Sequence, residues 1–180
     1  MRTENLYERE NGRPAVITSE PVDPSALRGL FRAELYDIYW AEKDLAVLLT
    51  KLADKVSSEE LADAILDDLT MCYTHIDRLD DAFFRLQEKQ KGRGCEVMKQ
   101  LFAEAERILS LDTPGVPMDA AVFSLIRRIR YSQITSYGII CSFLRALGEI
   151  GLLSVMETSL EDERLAYGNL MRCSAMLLNA

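Results

Sequence analysis

The stretch FRAELYDIYWAEKDLAVLLTKLADKV, residues 31–56, decides the fold. Its side chains repeat at alternating steps of four and three, which keeps one stripe of an α-helix facing a partner. The stripe consists of Phe31, Leu35, Ile38, Glu42, Leu45, Leu49, Leu52 and Val56. Every member is apolar except Glu42. Because an unpaired buried carboxylate is strongly unfavourable, we expect another group to pair with Glu42.

The helix that carries this stripe is predicted to run from Pro24 to Val56. Asp23 is a favourable N-cap, and proline is well suited to the first position of a helix. Residues 1–22 contain mixed charges and two prolines but no helical period. They are therefore predicted to form an extended N-terminal tail ahead of one domain, residues 23–180.

Three further segments of the chain contain long apolar stripes with the same alternating spacing of four and three residues. The second helix is predicted from Glu59 to about Lys91, and a short helix from about Cys95 to Leu109. The third long helix ends at Gly148, and the fourth begins after Gly151. Short turns join the first pair and the last pair of long helices, whereas a longer connection with the short helix joins the second to the third. The pattern predicts an all-α, ferritin-like four-helix bundle with one long crossover.

Polar side chains interrupt the apolar stripes near the middle of each long helix. They are Glu42, Cys72, Gln133 and Glu163. Carboxylates at this height on facing helices often hold two metal ions. Only Glu42 and Glu163 are carboxylates here, which is too few for such a site. The single histidine, His75, is predicted to lie on the flank of its stripe, where a surface or packing role is commoner than metal binding.

Composition narrows the range of functions. A net charge of −8 disfavours binding to nucleic acid or to anionic membranes. No apolar run is long enough to cross a bilayer. The four cysteines are widely spaced, form no CxxC pair and follow no secretory signal. They predict reduced thiols in a cytoplasmic protein.

Several segments follow one another in an order known from one protein family. They are LRGLFRAELYDIYWAEKDL (residues 27–45), SSEEL, HIDRLDDAF, GCEVMKQLFAEAERIL, MDAA, ITSYG and SLEDER. Together they resemble the YciF-like family of bacterial ferritin-like, stress-associated proteins across about residues 25–175. The resemblance implies a homodimer of bundles with a di-metal site. It places Glu42 among the ligands, together with an acidic cluster of Glu161, Asp162 and Glu163.

The chain departs from the family's pattern on two helices. Where the family reads LEETEGH or LEETHGQ, this chain reads LTMCYTH, so ligand positions become Thr70, Met71 and Tyr73. Where the family reads VEHYEIASYG, this chain reads IRYSQITSYG, so Arg130 and Gln133 replace two carboxylates. The resemblance therefore implies a degenerate di-metal centre that has lost its ligands on two helices.

We expect a metal-free centre in which Arg130 supplies the positive charge. Its guanidinium lies one turn from Gln133 and can reach towards Glu42 or Glu163. Gln133 and Tyr73 can donate hydrogen bonds to the same carboxylates. The alternative prediction is that Arg130 extends to solvent and Glu42 is half exposed.

Two functions follow from these expectations. The first is a non-enzymatic, stress-related homodimer with a structural or partner-binding role, no catalytic residues and no cofactor. The second is an iron- or manganese-dependent oxidase or peroxide-detoxifying protein. In that case one ion lies between Glu42 and Glu163, with His75 or Glu161 as a further ligand.

Overall fold

A computed structural model of the chain describes residues 23–90 and 94–177, with side chains up to Arg172. The described residues form five helices and no strand. The helices are α1 (Pro24–Ala53), α2 (Glu59–Leu86), α3 (Glu96–Leu109), α4 (Val116–Leu147) and α5 (Ile150–Leu177). The predicted all-helical class is confirmed for this part of the chain. The predicted tail, residues 1–22, lies outside it.

The ends of α1 and α2 differ from the prediction by about one turn. The carboxylate of Asp23 accepts a hydrogen bond from the backbone N–H of Ser25 at 2.9 Å, as expected of an N-cap. However, α1 ends at Ala53 and not at Val56. Likewise α2 ends at Leu86, before Lys91, because the next residue adopts the left-handed conformation that terminates helices, with φ of 53°.

Asp119, in the first turn of α4, holds the turn between α1 and α2. Its carboxylate oxygens accept hydrogen bonds from the backbone N–H groups of Ser57 at 2.7 Å and Ser58 at 3.0 Å. The side chain of Asp119 is buried. These bonds turn both serine amides away from α1 and towards α4, which explains why α1 stops before Val56.

Replacing Asp119 by alanine is expected to lower the free energy of unfolding by about 2 kcal/mol, because two amide groups lose a charged acceptor. Urea unfolding measures this change. Asp112→Ala is the matched control: Asp112 is exposed in the loop before α4, and we expect a change within about 0.5 kcal/mol. Equal effects of the two substitutions would show that Asp119 does not hold the turn.

The four long helices pack in a closed ring. α1 contacts α2 and α4, and α5 contacts the other sides of α2 and α4, while α3 lies against α1 and α4. The α1 stripe is buried from Phe31 to Leu52, including Glu42. Apolar side chains form one cluster around Leu49 and a second around Leu35. A polar layer between them contains Glu42.

No helix within residues 23–90 and 94–177 combines the length and the apolar character needed to cross a membrane.

Candidate functional site

Glu42, on α1, is fully buried and is contacted by two side chains from other helices. Its Oε1 accepts a hydrogen bond from the hydroxyl of Tyr137 on α4 at 2.8 Å and lies 3.0 Å from Nδ1 of His75 on α2. Burial, reinforced by the charge of Glu42, raises the pKa of Tyr137 well above its usual value. The phenol therefore stays protonated and remains a hydrogen-bond donor.

Arg130, on α4, is fully buried and joins two carboxylates. Its Nη1 donates to Oε2 of Glu163 on α5 at 2.7 Å, and its Nε donates to Oδ2 of Asp68 on α2 at 3.0 Å. Nη2 lies 2.7 Å from the same Asp68 oxygen. Burial disfavours the charged guanidinium, but Glu163 and Asp68 outweigh it and raise the pKa of Arg130. The site therefore contains a permanent protein cation.

The carboxyl group of Glu163 faces two positive partners. Burial favours its neutral form, but Arg130 and His75 together outweigh burial and lower the pKa of Glu163. The ionised carboxylate is thus the stable form at neutral pH. Its pairing with Arg130 is the contact that best defines the polar layer, because both side chains are almost completely inaccessible to solvent.

His75 is fully buried between Glu42 and Glu163. Its Nδ1 lies 3.0 Å from Oε1 of Glu42 and 3.5 Å from Oε1 of Glu163, and its Nε2 lies 3.5 Å from Oδ2 of Asp162. Burial acts to lower the pKa of His75, but the hydrogen bonds and charges of Glu163 and Glu42 raise it to about 9. At neutral pH the imidazole is a cation.

His75 lies beside the α2 stripe, as predicted, but this position is fully buried and not at the surface. α2 packs against both α1 and α5. Its buried arc is therefore wider than the single stripe that the four-three spacing defines. A histidine three positions after Cys72 lies beside that stripe, and in this helix the adjoining positions are also interior.

Two predicted members of the network do not act as predicted. The prediction for Tyr73 is wrong: its side chain is 56% exposed, because one step along a helix turns about 100° away from the buried Cys72. Gln133 is buried in the layer, but its amide nitrogen and oxygen have no hydrogen-bond partner among the described residues. Tyr137, one turn further along α4, donates the hydrogen bond to Glu42 instead.

Two features of the site were not predicted from the sequence. They are the presence of Asp68 and the hydrogen bond that Tyr137 donates to Glu42. Asp68 is four residues before Cys72 and seven before His75, a spacing that places all three on one side of α2. That spacing was the signal available for Asp68. Tyr137 carried none, because aromatic residues on packed helices usually serve as apolar core.

Cys72 lies in the same layer and is inert as a nucleophile. Burial, reinforced by the charge of Glu42, raises the pKa of its thiol well above the usual value, so the thiolate is disfavoured. Cys72, Cys95 and Cys141 are free thiols. The side chain of Cys173 lies outside the described part of the chain.

The residues present do not fit a two-metal centre. Such centres in helical bundles use roughly four carboxylates and two histidines. Glu42, His75 and Glu163 bring one ligand atom each within 4.8 Å of one another. The other oxygen of Glu163 is held by Arg130, a fixed positive charge that repels a divalent ion.

This cluster offers ligands for one metal ion at most. Even this set of ligand atoms is partly engaged, because Nδ1 of His75 already lies 3.0 Å from Oε1 of Glu42. Glu161, the further carboxylate considered as a ligand, is exposed and lies 3.6 Å from Arg164. The donor set therefore suits an internal ion-pair network better than a metal.

Replacing Tyr137 by phenylalanine is expected to lower the free energy of unfolding by about 1–3 kcal/mol, because Oε1 of Glu42 loses a buried donor. Thermal and urea unfolding both report this change. Tyr73→Phe removes the same hydroxyl from an exposed position and is expected to change stability by less than about 0.5 kcal/mol. A loss no larger in Tyr137→Phe than in this control would contradict the role assigned to Tyr137.

Fold and site together define an all-helical protein with a buried layer of carboxylates, one histidine and one arginine between two apolar clusters. The chain belongs to the DUF892 family, a domain of unknown function, whose model matches residues 26–180. It is similar to Protein YciF of Escherichia coli (strain K12), with 29% identity over 131 residues, 72% of this chain and 79% of that protein. The YciF-like resemblance of the sequence is thereby confirmed.

Solved structures agree with this assignment. The crystal structure of the E. coli stress protein YciF matches with a TM-score of 0.80 at 27% identity, covering 85% of this chain and 97% of that one. YcfI from Rhodopseudomonas palustris matches with a TM-score of 0.76 at 24% identity, covering 84% and 97% respectively. The second match supports the fold alone.

Proposed function

We propose that this chain is a ferritin-like four-helix bundle protein in which an internal ion-pair network replaces the two-metal centre. In this proposal α3 lies on the crossover between α2 and α4. The protein acts as a non-enzymatic homodimer with a structural or partner-binding role in the cytoplasm. Its relative in E. coli is described as a stress protein, and we extend a stress-related role to this chain.

The observation that carries the proposal is the position of Arg130. A buried guanidinium is tolerated only where carboxylates surround it. Glu163 and Asp68 do so at 2.7 Å and 3.0 Å. Arg130 and a metal ion would therefore compete for the same oxygen atoms. Unlike a metal ion, the guanidinium is covalently attached and does not dissociate.

Restoring two carboxylates on α4 tests this proposal. Arg130→Glu combined with Gln133→Glu returns acidic residues to the two positions where the family pattern has them. We expect the wild-type chain to show no saturable heat of Mn²⁺ binding in calorimetric titration. The double variant is expected to bind Mn²⁺, because the competing cation is gone and the number of oxygen ligands has risen.

The matched control is Gln133→Glu alone, which adds a carboxylate and keeps Arg130. We expect it not to bind Mn²⁺. Circular dichroism confirms that each variant is folded before titration. Stoichiometric Mn²⁺ binding by the wild-type chain would overturn the proposal and favour the single-ion alternative at Glu42, His75 and Glu163, whatever the double variant does.

A further inference from the structure

Helix α4 carries positive charge without acidic residues over most of its length. Residues 120–147 include four arginines and no aspartate or glutamate, although the whole chain has a net charge of −8. After Glu163, in α5, the chain likewise contains two arginines and no acidic residue. Helices α4 and α5 pack against each other. The first half of α4 and the last half of α5 therefore form a basic side on an acidic protein.

A groove of about 510 Å³ lies on this basic side, between α4 and α5. We call it the α4–α5 groove, and its lining residues are Ser124, Arg127, Arg128, Tyr131 and Tyr167. The side chain of Tyr131 is 66% exposed. Its ring lies 6.4 Å from that of Tyr167, measured between centroids, at an angle of 59°. Tyrosine and arginine are residue types that often supply most of the binding energy in protein–protein contacts.

Arg127 is oriented towards binding an oxyanion. Its Nε donates a hydrogen bond to the hydroxyl of Tyr167 at 3.2 Å, which fixes the plane of the guanidinium. No carboxylate pairs with Arg127 among residues 23–90 and 94–172. The neighbouring Arg128, by contrast, is paired with Glu104 at 2.7 Å. The two Nη groups of Arg127 thus offer the fork that matches both oxygens of a carboxylate.

We propose that the α4–α5 groove binds an acidic helical segment of another protein. A carboxylate of that segment pairs with Arg127, and an aromatic side chain packs on Tyr131. The inference rests on the partner-binding role proposed above and names its surface and kind of partner. Arg127 and Tyr131 are four residues apart, about 6 Å along α4. A helix presents a carboxylate and a ring at the same separation, and a groove between helices suits such a partner.

Charge favours this groove and a protein partner. Arg127 carries the one unpaired charge among the described residues that line the groove. One such cation suits a single carboxylate, whereas a nucleic acid requires several cations along its row of phosphates. The groove between α2 and α5 is lined instead by Asp67, Asp68 and Asp162. An acidic partner is repelled there and attracted to the α4–α5 groove.

Fluorescence anisotropy with a labelled, alanine-based helical peptide tests the proposal. The peptide contains one glutamate and one phenylalanine four residues later. We expect saturable binding to the full wild-type chain. Glutamine in place of the glutamate, or alanine in place of the phenylalanine, is expected to raise the dissociation constant about 10-fold, because each removes one of the two paired contacts. Added NaCl is expected to weaken binding of the glutamate peptide.

Variants of the protein locate the binding site. Arg127→Gln and Tyr131→Ala are each expected to raise the dissociation constant of the glutamate peptide about 10-fold. Arg145→Gln is the matched control, because it changes the net charge equally on the same helix. Arg145 is 62% exposed and pairs with Glu157, outside the groove. The control is expected to bind as the wild type does. Since all three residues are exposed, circular dichroism melting should show that each variant is folded.

Four outcomes would overturn the proposal. The first is no binding of the glutamate peptide by the wild-type chain at up to about 1 mM protein. The second is an equal effect of Arg127→Gln and Arg145→Gln, which would show attraction without a site. The third is tighter binding of a labelled single-stranded oligothymidine that Arg127→Gln abolishes, which would assign the groove to nucleic acid. The fourth is dissociation of a wild-type dimer by Tyr131→Ala in sedimentation velocity, which would assign it to a second copy.

These outcomes are distinguishable from a failure of the proposed function. Arg127 and Tyr131 lie at the surface, so their substitution leaves the buried pair of Arg130 and Glu163 intact. A failed peptide titration therefore contradicts the α4–α5 groove and leaves the internal ion-pair network standing. Conversely, Mn²⁺ binding by the wild-type chain overturns the network and leaves a successful peptide titration unchanged.

Discussion

Replacing Arg130 by methionine is expected to lower the free energy of unfolding by about 3–5 kcal/mol, the cost of removing one partner from a buried ion pair. Methionine has a long, flexible, uncharged side chain and so limits the loss of packing. The substitution leaves the carboxylates of Glu163 and Asp68 without the guanidinium that now lies within 3.0 Å of each. Urea unfolding of the wild type and the variant measures the difference.

Arg128→Met is the matched control on the same helix. Arg128 pairs with Glu104 at 2.7 Å, but its side chain is 51% exposed. Exposed ion pairs contribute little, and we expect a change of no more than about 1 kcal/mol. If Arg130→Met destabilised the protein no more than this control, Arg130 would not neutralise the buried carboxylates.

A rescue variant separates charge from packing. Arg130→Met combined with Glu163→Gln and Asp68→Asn removes the two carboxylates that lost their partner. Because the unpaired charges are then absent, the triple variant is expected to regain part of the lost stability. A triple variant less stable than Arg130→Met alone would show that packing, and not charge, dominates the effect.

The stability of the protein is expected to fall by a few kcal/mol as the pH rises from about 6.5 to about 9. The pKa of His75 is raised from 6.5 to about 9 in the folded protein. The folded state therefore binds this proton more tightly than the unfolded chain does. The contribution is fully present below pH 6.5 and is lost as the pH rises through 9.

His75→Gln is the control for this pH dependence, because the chain contains no other histidine. Most of the fall in stability between these pH values should disappear in the variant. Burial raises the pKa values of the Cys72 thiol and the Tyr137 phenol in the folded protein. Because an unperturbed thiol titrates at about 8.5, Cys72 contributes a small remaining fall at the upper end of this range. A wild-type protein equally stable at both pH values would contradict a charged, paired His75.

The helices could be predicted because each depends on its own sequence. The four-three spacing places apolar groups on one side of a helix, and caps such as Asp23 act within one turn. Helix ends were less predictable where a residue distant in the sequence, or the conformation of a single residue, determines them. α1 stops at Ala53 because Asp119, far along the chain, binds the following turn. α2 stops because of the left-handed conformation of Gln87.

The site was less predictable than the fold, because it depends on pairs of helices. The apolar stripes and the family motifs indicated Glu42, Glu163 and Arg130 as site residues. In the structure Arg130 contacts Glu163 but not Glu42. Asp68 and His75 lie beside the α2 stripe, so their burial follows only from the packing of α5 against α2. A single-helix pattern contains no information about that second neighbour.

The metal content of the purified protein tests the central claim that a guanidinium, and not a metal ion, neutralises the buried carboxylates. The wild-type chain and Glu42→Ala would be purified without chelators from cells supplied with extra iron and manganese, then analysed by plasma mass spectrometry. We expect no stoichiometric iron or manganese in either protein. A stoichiometric ion in the wild-type chain that is lost in Glu42→Ala would contradict the claim.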